Sequence, residues 1–162
     1  MRTKIMLVAL VLIIIALNYG IYEKEQIIKY GEPVFLKLMP RDPRSLLQGD
    51  YMRLYYAIVG NIPKNQHSIY RGYLVIRTND NKVAEFVRVY RKQETLVVGE
   101  KLLRYHNAYY FRRIVPDSFL FQEGHAKYYE NAKYGVFKFK GPDKYLLVGL
   151  ADENMQEIKV NK

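Results

Sequence analysis

The chain has 162 residues, 49% of them hydrophobic, which is enough for one domain of ordinary size plus an additional segment. It contains no Cys, which excludes disulfides, thiolate catalysis and Cys-based zinc sites together. Its net charge of +10 favours contact with nucleic acid, anionic lipid or an acidic polymer.

The N-terminus decides which of those partners is reachable. Arg2 and Lys4 precede an uninterrupted apolar run, Ile5–Leu17. At 1.5 Å per residue that run covers only ~20 Å, short of the ~30 Å hydrocarbon core of a bilayer. The pattern continues through Asn18, Tyr19, Gly20, Ile21 and Tyr22 before the charged Glu23-Lys24-Glu25. Tyr19 and Tyr22 suit an interfacial aromatic belt, so residues 1–22 read as a transmembrane anchor. A cleaved signal peptide has the same basic start and apolar run, but it needs small residues at the −3 and −1 positions. Ala16-Leu17-Asn18 and Asn18-Tyr19-Gly20 are both poor fits, so the uncleaved anchor is the expectation. The basic cap keeps the N-terminus cytoplasmic and exports everything from Glu23 onward, which makes nucleic acid an improbable partner.

Glu23–Tyr30 holds good helix formers and Gly31 is a plausible stop, so residues 23–32 read as a helical stalk. From residue 33 to 162 the pattern is mostly strand-like. Val34–Leu38 predicts a short apolar strand, and Arg41-Asp42-Pro43-Arg44-Ser45 a turn. Tyr51–Val59 alternates, with Met52, Leu54, Tyr56 and Ile58 on one face. Tyr70–Arg77 and Lys82–Tyr90 flank Thr78-Asn79-Asp80-Asn81, a hairpin turn that exploits the tolerance of Asn and Asp for positive φ. Thr95–Tyr105 and Tyr109–Ile114 predict a second pair around His106-Asn107-Ala108. Gln122–Lys133 predicts a helix, with Ala126, Tyr129 and Ala132 at three-residue spacing. Tyr134–Lys140 and Tyr145–Leu150 predict a hairpin turning at Gly141-Pro142-Asp143, and the polar tail from Asp152 predicts fraying. The expectation is an α+β fold: a strand-rich, antiparallel, barrel-like domain with one packed helix, behind an N-terminal transmembrane helix.

Gly49-Asp50-Tyr51-Met52-Arg53-Leu54-Tyr55-Tyr56 fits Gly-Asp-Tyr-x-x-Leu-x-Tyr at every specified position. Together with the lead-in Asp42–Gln48, the later run Phe119–Ala126, Tyr128-Tyr129-Glu130, Tyr134-Gly135 and the final Leu147–Leu150, it resembles the bacterial GDYXXLXY family. That resemblance implies a membrane-associated protein of unassigned biochemistry, often encoded beside a polytopic membrane protein; it brings no catalytic residues. The motif also has a plain physical reading. Gly49 permits positive φ before a strand, and Asp50 can accept turn hydrogen bonds or pair with Arg44. Leu54 and Tyr56 then share one face of the strand and Tyr51 takes the other. The same features also describe a purely structural corner.

Three functions compete. In the first, the domain is an interaction module docking on an integral membrane partner. Its surface would combine the motif loop (Arg41, Asp42, Arg44, Asp50, Tyr51) with the corner carrying Glu123 and His125, because turns carry binding more readily than the strands behind them. The second is a membrane-bound hydrolase of Ser/Lys type. Leu38-Met39-Pro40 through Asp50 distantly resembles the stretch around the nucleophile in type I signal peptidases, but that family needs Ser where Leu38 stands. Ser45 lies on the wrong side of Pro40, and no Lys stands out as its base. The third is binding of an anionic envelope polymer or lipid headgroup, suggested by interleaved aromatic and basic residues: Tyr70-Arg71, Arg88, Tyr90-Arg91-Lys92, Arg104-Tyr105 and Tyr109–Arg113. Its bland counterpart is a solvated sheet face whose charges discourage edge pairing. His67, His106 and His125 have no metal-ligand spacing, and no phosphate loop or dinucleotide fingerprint appears, so no cofactor and no metal are expected. The docking module, without catalysis, is the reading we prefer.

Overall fold

The computed structural model describes residues 2–39, 47–48, 51–62, 70–91, 94–108 and 111–160. The first element is a single helix, α1 (Arg2–Tyr30), 29 residues long and therefore about 43 Å from end to end. Every side chain from Arg2 to Tyr22 is exposed, and the helix is long and apolar enough to cross a membrane. Asn18, a polar side chain within this stretch, donates to the Ile14 carbonyl at 2.8 Å, so one of its amide hydrogens is satisfied within the helix. The helix ends where Gly31 donates to the Ile27 carbonyl at 2.8 Å. A Cβ on Gly31 would fall 2.3 Å from the Ile27 carbonyl oxygen and 3.0 Å from the Lys138 Cβ, so the close approach of helix and sheet requires glycine there.

The remaining described chain forms antiparallel sheets, and the protein is α+β. The first sheet has the order β1-β9-β10, from β1 (Glu32–Lys37), β9 (Tyr134–Lys140) and β10 (Lys144–Ala151). The second is β2-β3-β8, from β2 (Leu47–Gln48), β3 (Tyr51–Arg53) and β8 (Ser118–Leu120). The third is β5-β4-β6-β7, from β4 (Arg71–Thr78), β5 (Ala84–Val89), β6 (Glu100–Ala108) and β7 (Phe111–Ile114). Backbone bridges Phe35↔Val83 and Leu38↔Tyr56 join the three around one core. That core takes alternate residues from each strand: Val34, Leu36 and Leu38; Met52, Leu54 and Tyr56; Leu74 and Ile76; Leu103 and Tyr105; Phe137 and Phe139. The opposite face of β9 turns toward the end of α1, where the Lys138 ammonium donates to the Ile28 carbonyl and Lys140 to the Gln26 side chain. Ile27, 1% exposed, is the residue that α1 buries there.

Several elements differ from the sequence expectation, each for a physical reason. The alternation over Tyr51–Val59 holds as a burial pattern, yet strand pairing stops at Arg53. One further bond follows, from Leu54 to the Asp117 carbonyl at 2.8 Å, and Ala57–Asn61 then winds into a short 3-10 helix. The expected helix over Gln122–Lys133 shrinks to α2 (Ala126–Tyr129). Gly124 sits at φ +79 before it, and after it Lys133 pairs its backbone with Ala151 and Leu38, so sheet bonds claim what the helix would have used. His106-Asn107-Ala108 lies inside β6 and is not a turn. That strand begins at Glu100 and not Thr95, because the Glu100 amide closes a turn on the Val97 carbonyl through Gly99 (φ +87). The hairpin at Asn79 forms as expected, with its side-chain oxygen accepting from the Asn81 and Val83 amides at 3.1 and 3.0 Å. The positive φ falls on Lys82, however, and not on an Asn or Asp. The tail is tied down through Ile158: Asp152 Oδ1 accepts from the amides of Asn154 and Gln156 at 2.9 Å, and Ile158 donates to Leu150 at 2.8 Å.

Candidate functional site

The second half of the Gly-Asp-Tyr-x-x-Leu-x-Tyr motif is buried. Met52, Leu54 and Tyr56 are each at most 3% exposed. Tyr56 carries its polar end inward and donates its hydroxyl to the Pro116 carbonyl at 2.9 Å. Burial pushes that phenol well above its ordinary range, so it remains a neutral donor. Leu54 and Tyr56 thus hold the Pro116–Asp117 segment that leads into β8. Tyr51, the motif's other described ring, is half-buried on the opposite face and stands directly across from Leu120 of β8.

Of the sequence-predicted surface, Arg41, Asp42, Arg44 and Asp50 lie outside the described residues, as do Ser45, His67, Lys92, Tyr109 and Tyr110. Tyr51 is brought next to the strand that runs into the Phe121–His125 corner. Opposite residues of an antiparallel pair share a face, so Tyr51 and Leu120 point the same way. Leu120 is 75% exposed on an edge strand. The corner itself is a turn in which His125 donates to the Gln122 carbonyl at 3.0 Å. Glu123 is exposed there, and the half-buried His125 ring meets Tyr128 edge-on at 5.7 Å. Phe119 and Phe121 pack on Tyr129 at 5.2 and 5.6 Å, which fixes the corner against the core. Arg113 of β7 is bound to Asp117, just before β8, at 3.2 Å.

A second surface lies beside the end of α1. A groove of about 700 Å³ is walled by Glu23, Lys24 and Ile27 on one side, Tyr73, Tyr90 and Arg104 on another, and Lys144 and Tyr145 at the β9–β10 turn. The strand register builds it. Tyr73 and Arg104 are direct cross-strand partners on β4 and β6, on the face that Leu74 and Leu103 leave free when they turn to the core. Arg104 donates to the Tyr73 hydroxyl at 3.2 Å and lies 5.7 Å from that ring's centroid. Tyr73 in turn meets Tyr90 edge-on at 6.5 Å. The bond to Tyr73 raises the Arg104 pKa, so the guanidinium stays charged. Among the described residues Arg104 makes no ion pair, whereas Lys144 is bound to Glu23.

Tyr145 forms the floor of the groove in an unusual way. Tyr105 pairs with Ile114, so Arg104 and Val115 are the next register position between β6 and β7. Val115 does donate to the Arg104 carbonyl at 3.0 Å. The reciprocal bond is taken over by the Tyr145 hydroxyl, which accepts from the Arg104 amide at 3.0 Å and donates to the Val115 carbonyl at 2.7 Å. Burial pushes that phenol up to about 12, against the opposing pull of Arg104. A cis Val115–Pro116 bond follows at once.

Of the two buried charged residues among those described, Glu100 and Lys101, the first serves the fold. Glu100, with its side chain 2% exposed, accepts from Arg88 at 2.6 and 3.1 Å and from the Val97 amide at 2.9 Å. Among the described residues no group of three or more His, Asp or Glu side chains converges on a metal position. Sequence reading named Tyr90 and Arg104 but missed Tyr73, Lys144, Tyr145 and the helix-exit residues. Tyr73 has a signal in the β4–β6 register, in which Gly72 lies against the Tyr105 ring and Tyr73 against Arg104.

No curated protein and no solved structure matches the chain. The family model described as GDYXXLXY protein matches residues 13–150, most of the chain and both of the regions just described. With the second half of the motif seated in the core and the match extending to β10, the chain belongs to the GDYXXLXY family.

Proposed function

We propose that this chain is a single-pass module of the cytoplasmic (inner) membrane that docks on a polytopic membrane protein in the same bilayer. Residues 1–22 are the anchor, with the N-terminus cytoplasmic as Arg2 and Lys4 favour. Residues 23–32 are the stalk, and residues 33–162 are the extracytoplasmic domain. The docking surface runs from the motif loop (Arg41, Asp42, Arg44, Asp50, Tyr51) across Leu120 to Glu123 and His125. The module works through contacts and not through catalysis.

The observation that carries this reading is Leu120. A large aliphatic side chain 75% exposed on an edge strand, aligned with Tyr51 and one residue before the half-buried Phe121, makes a small apolar centre. Exposed Glu123 beside it supplies polar rim. Edge strands left uncovered invite pairing with another chain. The anchor restricts that chain to one in or near the same membrane.

A photo-crosslinking residue at position 120 of the intact protein, in its own membranes, tests this directly. One polytopic membrane protein should be captured from position 120, not from exposed Lys159, and capture should fail in an Asp50→Ala variant that folds normally. Equal capture from both positions would sink the docking reading.

A further inference from the structure

The groove beside the α1 exit has a height as well as a shape. The apolar stretch ends at Tyr22, and the wall formed by Glu23, Lys24 and Ile27 occupies the next five residues of the same unbroken helix. At 1.5 Å per residue those residues rise about 7.5 Å. A bilayer of ~40–45 Å with a ~30 Å apolar core leaves a headgroup layer of about 5–8 Å on each side. The groove therefore opens at the level of the headgroups when α1 crosses the membrane. This holds whichever side the domain occupies.

The chemistry of the walls suits an anion at that level. The lining carries Lys24, Arg104 and Lys144 against Glu23 and Asp143. Lys144 is already bound to Glu23, so Arg104 and Lys24 are the cations without an ion pair among the described residues. Arg104 is held in place by the Tyr73 hydroxyl and ring. A guanidinium fixed in this way keeps its remaining donors aimed outward and loses little freedom when it binds. Guanidinium donors match phosphate oxygens in pairs. Tyr73, Tyr90 and Tyr145 supply amphipathic walls of the kind found at membrane interfaces.

We propose that this groove seats the phosphate of an anionic membrane phospholipid. Arg104 binds the phosphate oxygens, Lys24 faces them from the helix exit, and the acyl chains return to the bilayer alongside α1. The site is separate from the Leu120 surface, so either can fail without the other.

The test uses the full chain in detergent, examined by native mass spectrometry with phosphatidylglycerol, phosphatidylcholine, inorganic phosphate or polyphosphate added in turn. Phosphatidylglycerol should be retained on the wild type in preference to phosphatidylcholine. Retention should fall about tenfold in Arg104→Ala, the loss expected for one charge-assisted bond pair. It should be largely unchanged in Lys159→Ala, which removes an exposed cation elsewhere. Arg104→Lys should bind with intermediate strength, and Tyr73→Phe should weaken binding while leaving the guanidinium charge intact. These two variants serve if Arg104→Ala does not fold. Equal losses in Arg104→Ala and Lys159→Ala, no preference over phosphatidylcholine, or displacement of the lipid by equimolar polyphosphate would each overturn the proposal, the last in favour of a soluble polyanion.

Discussion

The motif strand and the helix-exit groove are built from similar residues and put them to opposite uses. In the first, Leu54 and Tyr56 face inward at 3% and 2% exposure, and the tyrosine hydroxyl is spent on a backbone carbonyl. In the second, Tyr73 and Tyr90 are half-buried with faces left over, and a charged side chain is held ready without an ionic partner among the described residues. The residues that give the family its signature thus mark architecture in their second half. The open chemistry sits on strands whose sequence adds little to the signature. In such a protein, the most recognisable residues are a guide to the corner and a poor guide to the ligand.

That contrast can be broken or sharpened by measurement. The largest effect should come from Leu54→Ala, which removes a side chain that is 3% exposed in the shared core. A loss of about 2–5 kcal/mol is expected in denaturant unfolding of the full chain. A loss within ~0.5 kcal/mol, typical of surface positions, would mean that the motif is not architectural.

Next comes the exception on the groove side of the molecule, Glu100. Arg88, and secondly the Val97 amide, hold its carboxyl below the ordinary 4.5. A carboxylate depressed in the folded state contributes stability that is present above its unfolded value and is lost as pH falls through the folded one. Wild-type protein should therefore lose stability as pH drops below about 4.5, and Glu100→Gln should flatten that part of the acid titration. Glu23 is depressed in the same direction by Lys144, so Glu23→Gln serves as the comparison. Its effect should be smaller, since the pair is exposed and screened.

A smaller change, about 0.5–1.5 kcal/mol, is expected for Tyr56→Phe, which deletes one buried hydrogen bond and keeps the ring packing. The smallest should be Arg104→Ala. If its role is ligand contact and not folding, unfolding without lipid should shift by no more than ~0.5 kcal/mol. A shift as large as that of Tyr56→Phe would place Arg104 in the scaffold and erase the contrast between the two regions.

Much of this architecture was legible from the residues. The apolar run and its charged boundary at Glu23 outlined α1, and period-two alternation located β1, β4, β5, β9 and β10 to within a few positions. What failed depended on contacts distant in sequence. Lys133 looked helical until Ala151 and Leu38 took its backbone, and the strand expected over Tyr51–Val59 gives way after Tyr56, tied to distant Pro116, to a 3-10 helix. The groove was legible only in fragments. Tyr90 and Arg104 stood out as aromatic-basic neighbours, yet Tyr73 joins Arg104 through register, and Glu23 meets Lys144 from the far end of the chain.

The Tyr145 hydroxyl has a consequence for how the molecule comes apart. It occupies a bond position that belongs to the seam between β6 and β7, although Tyr145 itself is part of the β9–β10 hairpin. The β6–β7 seam cannot complete this position without the hairpin, so lifting the hairpin strips the Arg104 amide and the Val115 carbonyl of their partner. The Arg104 amide should accordingly exchange its hydrogen only in openings that also expose the hairpin. The seam is latched by a side chain where a sheet would ordinarily be closed by its own strands.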